Sequence, residues 1–449
     1  MAKCLIESSI LLIPVLTIAE TIGGNARTNI IHQSKNNQMK NHKKILLTLL
    51  LIGTLSTYGQ NLPSLLTEKN INSTFSILAY DENAKEWGIA VATNNIYVGN
   101  STIYIEPELG AFSVIAETEP KYATQGFENL KKGKSIKQAI TEVKNGDSQA
   151  NYRQVSGIDT KGNVFAFTGK SLKYWNGKAS QILGTNYVVM GNQLADEVLS
   201  SMSSTFENSK GTLAERLLKS LIAGQNAGGQ ISGKQSAAVV VKGANNEWYN
   251  QIDLRVDNSK NPVEELQTLM NYHYGRIRLN QALYAKREGN LERAKQKLTE
   301  AESMLNGWTG MYSKIAGANI AVGNENSAVN WIKKGLAENS NWKTNLPAFY
   351  FLRDNLELKS IIKPDSFSVK DWESAIGMLS NLGQELEVIK LAEELIDKNI
   401  ESSYLNFLIG RSYFYEKETD KAIKHLEKAL KMDSENIEAQ MLLDKIRIN

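Results

Sequence analysis

Cysteine is almost missing from this 449-residue chain: the only one, Cys4, lies near the N-terminus. Histidine is nearly as scarce, with four in all, and between Thr74 and Pro262 there is neither histidine nor cysteine. A Ser-His-Asp or Cys-His catalytic arrangement is thereby excluded from that stretch. A histidine-based zinc site is excluded with it, because a metal there would have to rest on carboxylates alone. We expect no metal and no cofactor. A phosphate-binding GxxxxGK[ST] loop is also missing. The glycines of Ala227-Gly-Gly-Gln-Ile-Ser-Gly-Lys-Gln-Ser236 precede a strand pattern, not a helix, so they form no phosphate cradle.

Charge of one sign is lacking too. The formal net charge is +3, but residues 1–59 carry six basic side chains against Glu7 and Glu20, so the rest balances at −1. A near-neutral chain has no electrostatic footprint for nucleic acid. The basic start reads as a targeting segment. Met39 is followed by Lys40, Lys43 and Lys44, an apolar run from Ile45 to Leu55, and the small, weakly polar Ser56-Thr57-Tyr58-Gly59. This is the pattern of a secretory signal peptide, and the run is too short to span a bilayer comfortably. We expect 1–59 to be an upstream extension and signal peptide, with Met39 as an alternative start, then a leader, 60–73. Cleavage near Gly59 would remove Cys4 and leave no disulfide or thiol chemistry. The product is then exported, periplasmic or extracellular, with no membrane span.

Short strand patterns dominate from Thr74 onward: Thr74 to Ala79, Gly88 to Ala92, Ala111 to Ala116, and Tyr187 to Met190. Two hairpins are expected, Val155 to Asp159 with Val164 to Thr168, and Ser236 to Val241 with Trp248 to Val256. Paired helical patterns separate them, at Thr124–Lys132 with a second helix capped by Ser135, and near 195–206 and 213–223. Antiparallel strands with paired helices predict an α+β domain over 74–262, with helix layers on sheets.

The texture changes at Pro262. A connecting helix is expected over 263–275, and helical patterns with a 34-residue period over 276–449, interrupted by an insertion near 341–368. Ala294 and Ala328 are 34 residues apart, as are Val388 and Ala422. Small residues at helix crossings with this period are the signature of an all-α tetratricopeptide-type solenoid, which would take a protein or peptide partner.

Chemistry in a domain without His or Cys needs a nucleophile that supplies its own base. A threonine at a free N-terminus does so, because its α-amine takes the hydroxyl proton. That amine titrates near 7.7–8.0, well placed for neutral pH. The position required is the first residue of an early strand, and Thr74 occupies it.

The motifs Thr74-Phe-Ser-Ile-Leu-Ala-Tyr-Asp81, Trp87-Gly-Ile-Ala-Val-Ala92, Glu119-Pro-Lys-Tyr122, Ala166-Phe-Thr-Gly169, Gly191-Asn-Gln-Leu194, Lys234-Gln-Ser-Ala-Ala238 and Asp253-Leu-Arg-Val-Asp257 carry a resemblance. In this order they resemble the domain-of-unknown-function family 1028 over about residues 74–269. That family is similar to N-terminal-nucleophile hydrolases. The resemblance implies a four-layer αββα domain and an amide-bond hydrolase acting on a small amide or peptide. In many members the threonine directly follows the initiator Met; here Ser73 precedes it, and Glu117 stands where relatives often carry Gln. The candidate catalytic residues are Thr74, Asn94, Glu117 and Asn192. Thr93, Gln235, Ser236, Asp253 and Arg255 are candidates for substrate binding. Two functions remain open: an exported amidohydrolase with a binding module, and a non-catalytic exported scaffold in which Thr74 merely starts a strand.

The targeting pattern makes its own prediction. The recovered protein should be exported and cut once near Gly59, as read by N-terminal sequencing. Recovery from the cytoplasm with Met39 still attached would overturn it.

Overall fold

The computed structural model describes residues 73–244 and 251–448. The expected signal peptide, nearly all of the leader, and the start of the Trp248 strand lie outside the described residues. Among the described residues, ten strands build two antiparallel sheets. The six-stranded sheet has the order β10 (Ile252–Val256), β9 (Ser236–Gly243), β2 (Glu86–Thr93), β1 (Thr74–Asp81), β8 (Tyr187–Leu194), β7 (Lys178–Gly184). The four-stranded sheet, which follows the short helix α1 (Val98–Ser101), runs β3 (Ile103–Glu106), β4 (Gly110–Ala116), β5 (Arg153–Asp159), β6 (Val164–Thr168).

Alternation along β1 assigns its two faces. Phe75, Ile77 and Ala79 join a core with α4 (Val198–Asn208) and α5 (Leu213–Asn226), whose Met202, Leu217 and Leu221 are buried against them. Leu78 and Tyr80 point the other way, into a cluster with Trp87, Ala111 and Ile158, where the two sheets meet. The outer face of the four-stranded sheet packs Phe112, Val114 and Val155 under α2 (Lys121–Lys131) and α3 (Ile136–Gly146). The Ser135 cap expected from the sequence is present, with Gln138 closing a capping box. Strands β3 and β7 were not legible in the pattern. They are edge strands whose residues are mostly only half-buried, so their alternation is weak.

The expected connecting helix and the first helix of the helical part are one uninterrupted helix, α6 (Pro262–Arg287). Val263, Leu266 and Met270 of its first half belong to the sheet core. Leu279, Ala282 and Ala285 of its second half belong to the next core along the chain. After it come α7 (Leu291–Leu305), α8 (Tyr312–Ala321), α9 (Glu325–Glu338), then 3-10 turns across Ser340–Leu352 within the expected insertion. The array resumes with α10 (Val369–Asn381), α11 (Glu385–Asp397), α12 (Ser403–Tyr415), α13 (Thr419–Met432) and α14 (Ile437–Ile448).

The 34-residue period is visible in the turns. Gly289, Gly323 and Gly383 have φ of 78°, 77° and 71°, and Lys417, 34 residues after Gly383, takes the same left-handed turn at 63°. Helix crossings demand small residues. A Cβ on Gly410 would sit 2.9 Å from Leu426 and 3.1 Å from the Ala422 carbonyl. Ala294, Ala328, Ala422 and Ala429 are fully buried. Among the described residues no helix is long and apolar enough to cross a membrane.

Ala422→Glu should therefore bury an unpaired charge between α12 and α13 and cost on the order of 3–5 kcal/mol. Urea unfolding followed by helical circular dichroism reads this directly. An unchanged midpoint would show that the crossing tolerates bulk and charge.

Candidate functional site

Sheet register builds the site. Thr74 pairs with Thr93 on one side and Asn192 on the other, and Thr93 pairs with Ser236. Directly opposed residues share a face, so Asn192, Thr74, Thr93 and Ser236 form one polar row across four strands. The row faces the second sheet, as the 3.1 Å contact between the Ser76 and Ser113 hydroxyls two residues along confirms. All four are buried, Thr74 being the most accessible at 7%.

The hydroxyls of Thr74 and Thr93 are 2.9 Å apart. The Thr93 hydroxyl donates to the Ser73 carbonyl oxygen at 2.8 Å, and the Asn94 backbone N–H donates to the same oxygen at 3.2 Å. Two donors thus converge on the carbonyl of the peptide bond that precedes Thr74. Ser73 is held from its other atoms as well. Its N–H donates to Asn94 Oδ1 at 3.0 Å, and its hydroxyl lies 2.7 Å from that of Ser232, which also accepts from Asn94 Nδ2.

Beside Thr74 opens a cavity of about 290 Å³, lined by Thr93, Asn95, Thr102 and Glu117 among others. Glu117 is fixed through its backbone: its N–H donates to the Tyr152 carbonyl, and its carbonyl accepts from Arg153 Nη1 at 2.9 Å. Arg153 is held in turn by Asp147 at 3.1 Å. Burial alone would raise the Asp147 carboxyl, but hydrogen bonds from Arg153 and the Gln149 N–H outweigh it and hold the carboxyl below its ordinary value. Two acceptors near the row, Glu117 Oε1 and Asn192 Oδ1, are buried without a hydrogen-bond partner. Such groups are rare in folded chains and mark places where a ligand or water belongs. Three non-glycine residues around the site, Tyr97, Ala116 and Gln193, have φ of 72°, 68° and 53°. Backbone strain of this kind gathers at functional sites.

The structure thus brings Thr74, Thr93, Asn94, Glu117 and Asn192 together. Ser236 sits behind them. Its hydroxyl donates to the Asn95 carbonyl at 2.5 Å and accepts from the Val98 N–H, which shapes the loop over the cavity. Gln235 turns its side chain to Asn258, 3.1 Å away. Asp253 and Arg255 form a paired fork on the edge strand β10 at 2.6 and 2.9 Å. None of these last three lines the cavity. The described histidines, His273 on α6 and His425 on α13, lie outside it; burial lowers the pKa of both. Among the described residues no group of three His, Cys, Asp or Glu could hold a metal.

Asn95, Thr102, Ser232 and Gln154 are site residues that no sequence pattern marked. Gln154, on β5, is fully buried between the sheets. Its amide nitrogen is within 3.0 Å of Thr168 Oγ1, the Ser180 carbonyl and the Gly191 carbonyl, and its oxygen accepts from Asn192 Nδ2 at 3.1 Å. The available signal was a long amide at an inward position of β5, in line with Ser156 and Ile158.

The fold and this site define a two-part protein: an α+β sheet domain with a threonine-lined cavity, followed by a tetratricopeptide-like helical region. Residues 74–266 match the sequence model of a family of unknown function, DUF1028. A crystal structure of a DUF1028 protein from Silicibacter pomeroyi shares 30% identity over 44% of this chain and 84% of its own, with a TM-score of 0.41. Through these residues the chain belongs to the DUF1028 family. The chain is also similar to the TPR domain of P58(IPK), at 18% identity over 39% of this chain and 55% of that one, with a TM-score of 0.19. No curated protein matches the chain.

Gln154→Leu should cost about 2–4 kcal/mol, because it strands the Gly191 and Ser180 carbonyls and the Asn192 amide in a buried site. The urea midpoint of the purified protein measures it. A variant as stable as the parent would remove Gln154 from its supporting role.

Proposed function

We propose that residues 74–262 form an exported amide hydrolase of the N-terminal-nucleophile type, with the αββα layering of that class and Thr74 as nucleophile. The observation that carries this reading is the pair of donors on the Ser73 carbonyl oxygen, directly beside the Thr74 hydroxyl. An oxyanion forming there would meet the Thr93 hydroxyl and the Asn94 N–H without reorganisation. Attack by the Thr74 Oγ1 on that carbonyl carbon, with loss of the hydroxyl proton, gives a tetrahedral oxyanion. Breaking the C–N bond, with the hydroxyl proton delivered to the departing nitrogen, transfers the Ser73 acyl group to the Thr74 oxygen and leaves the Thr74 nitrogen as a free amine. Water then hydrolyses the ester, releasing the leader as a carboxylic acid. The freed amine is the base for the next reaction, in which Thr74 attacks an amide held in the adjoining cavity. Glu117 and Asn192 present the acceptors that orient it.

Further support comes from the order of packing, helices on both outer faces of two facing sheets, and from the lack of His and Cys, which leaves no more usual base. We assign the helical region to recruitment of a protein or peptide partner, and place the mature protein in the periplasm or outside the cell. One observation favours a second reading, a non-catalytic exported scaffold. Ser73 is fully buried and satisfied through its N–H, carbonyl and hydroxyl, as a permanent strand neighbour would be.

The mass of the exported protein separates the two. The hydrolase begins at Thr74 and the scaffold near Gln60. Thr74→Ala should keep its leader, fold normally and hydrolyse no member of a panel of small amides, whereas Thr74→Ser should retain part of the activity. Thr93→Val should slow release of the leader by about 10²–10³-fold, the usual effect of removing one oxyanion donor. Equal turnover by Thr74→Ala and the parent ends the hydrolase reading.

A further inference from the structure

The helical region has a concave groove of about 730 Å³, formed by α6, α8, α10 and α12. Five of its lining side chains are cationic: Arg276, Lys286 and Arg287 on α6, Lys314 on α8 and Arg411 on α12. No Asp or Glu lines it. Elsewhere on the array several cations are paired with carboxylates, as in Arg278–Glu300, Lys333–Glu357, Lys428–Glu401 and Arg447–Glu427. None of the five groove cations has an ion-pair partner among the described residues. Arg411 donates to the Ser380 hydroxyl at 2.7 Å and lies over the Phe407 ring, and its Nε is buried without a hydrogen-bond partner.

Like charges gathered on three helices repel one another and oppose packing, so an unpaired set facing one concavity is stabilised by a counter-charge from outside. We propose that the groove docks an extended acidic peptide segment of another protein. The claim rests on the reading of the helical region as a binding module and names the chemistry of its partner. Carboxylates would pair with the five cations. Between them Leu279, Leu283, Met311 and Met378 offer apolar contact for side chains. Asn280 and Asn381, each with a donor and an acceptor, suit a peptide main chain. Single-stranded nucleic acid fits less well. It needs a series of aromatic platforms, and Tyr415 is the one aromatic side chain lining the groove.

The test uses the full chain and labelled peptides of glutamate-rich, lysine-rich and neutral composition, with oligo-dT as the nucleic-acid probe. Fluorescence anisotropy should show the glutamate-rich peptide binding most tightly, and weakening as salt shortens the screening length. The Lys286→Glu, Lys314→Glu double variant should bind it about tenfold more weakly or worse, a loss of at least one decade in Kd, with its circular dichroism unchanged. Lys390→Glu, on α11 and outside the groove lining, should bind as the parent does. Failure of acidic peptides to bind, or equal binding by the double variant, overturns the proposal. So does tighter binding of oligo-dT. Groove binding of the neutral or lysine-rich peptide alone would leave the binding-module reading standing while refuting the charge assignment. No binding by any peptide refutes both.

Discussion

The register of β1 between β2 and β8 is the constraint on which the site depends. It sets Thr74 opposite Thr93 and Asn192, and so decides which hydroxyls and amides meet. The register is locked by apolar burial. Phe75, Ile77 and Ala79 are completely buried under the helices, while Leu78 is completely buried between the sheets. A slip by one residue would exchange the two faces. It would drive the Thr74 hydroxyl into the helix-side core and bring Phe75 to the cavity wall. The polar row is thus held in place by the apolar residues of the same strand, and Gln154 ties it to the opposite sheet.

A second constraint joins the two parts of the chain. Helix α6 is 26 residues long, about 39 Å at the usual rise, and is buried in one core at its start and in another at its end. The groove cations Arg276, Lys286 and Arg287 therefore stand on the same rod that packs against the sheet carrying Thr74. A cut at Asn261 would expose Val263, Leu266 and Met270 on the free helical part. The repeat period and the sheet domain are distinct in sequence texture, yet they share this element physically.

Much of the fold was legible because it is written locally. Alternation located β1, β2, β4, β5 and β6, and the Ser135 cap and the 34-residue spacing were readable directly. The candidate site was legible only around Thr74. Asp253 and Arg255 were expected near it, but they sit on β10, at the sheet edge and three strands from β1, and Gln235 turns to Asn258. Residue type and motif order gave no measure of that separation. Asn95, Thr102, Ser232 and Gln154 went unnoticed, since each is a common polar residue whose role arises from what it faces.

The sequence by itself determined what chemistry this domain must do without, because composition excludes His and Cys between Thr74 and Pro262 regardless of folding. It determined the two-part organisation as well, since period-two and helical patterns depend only on near neighbours along the chain. The tertiary structure alone decided that Thr93 and Asn94 converge on the Ser73 carbonyl, that Ser232, 159 residues further on, clamps Ser73, and that cations from α6, α8 and α12 face one groove. These juxtapositions come from strand pairing and helix stacking between distant segments, and the local sequence pattern carries no record of which segments those will be.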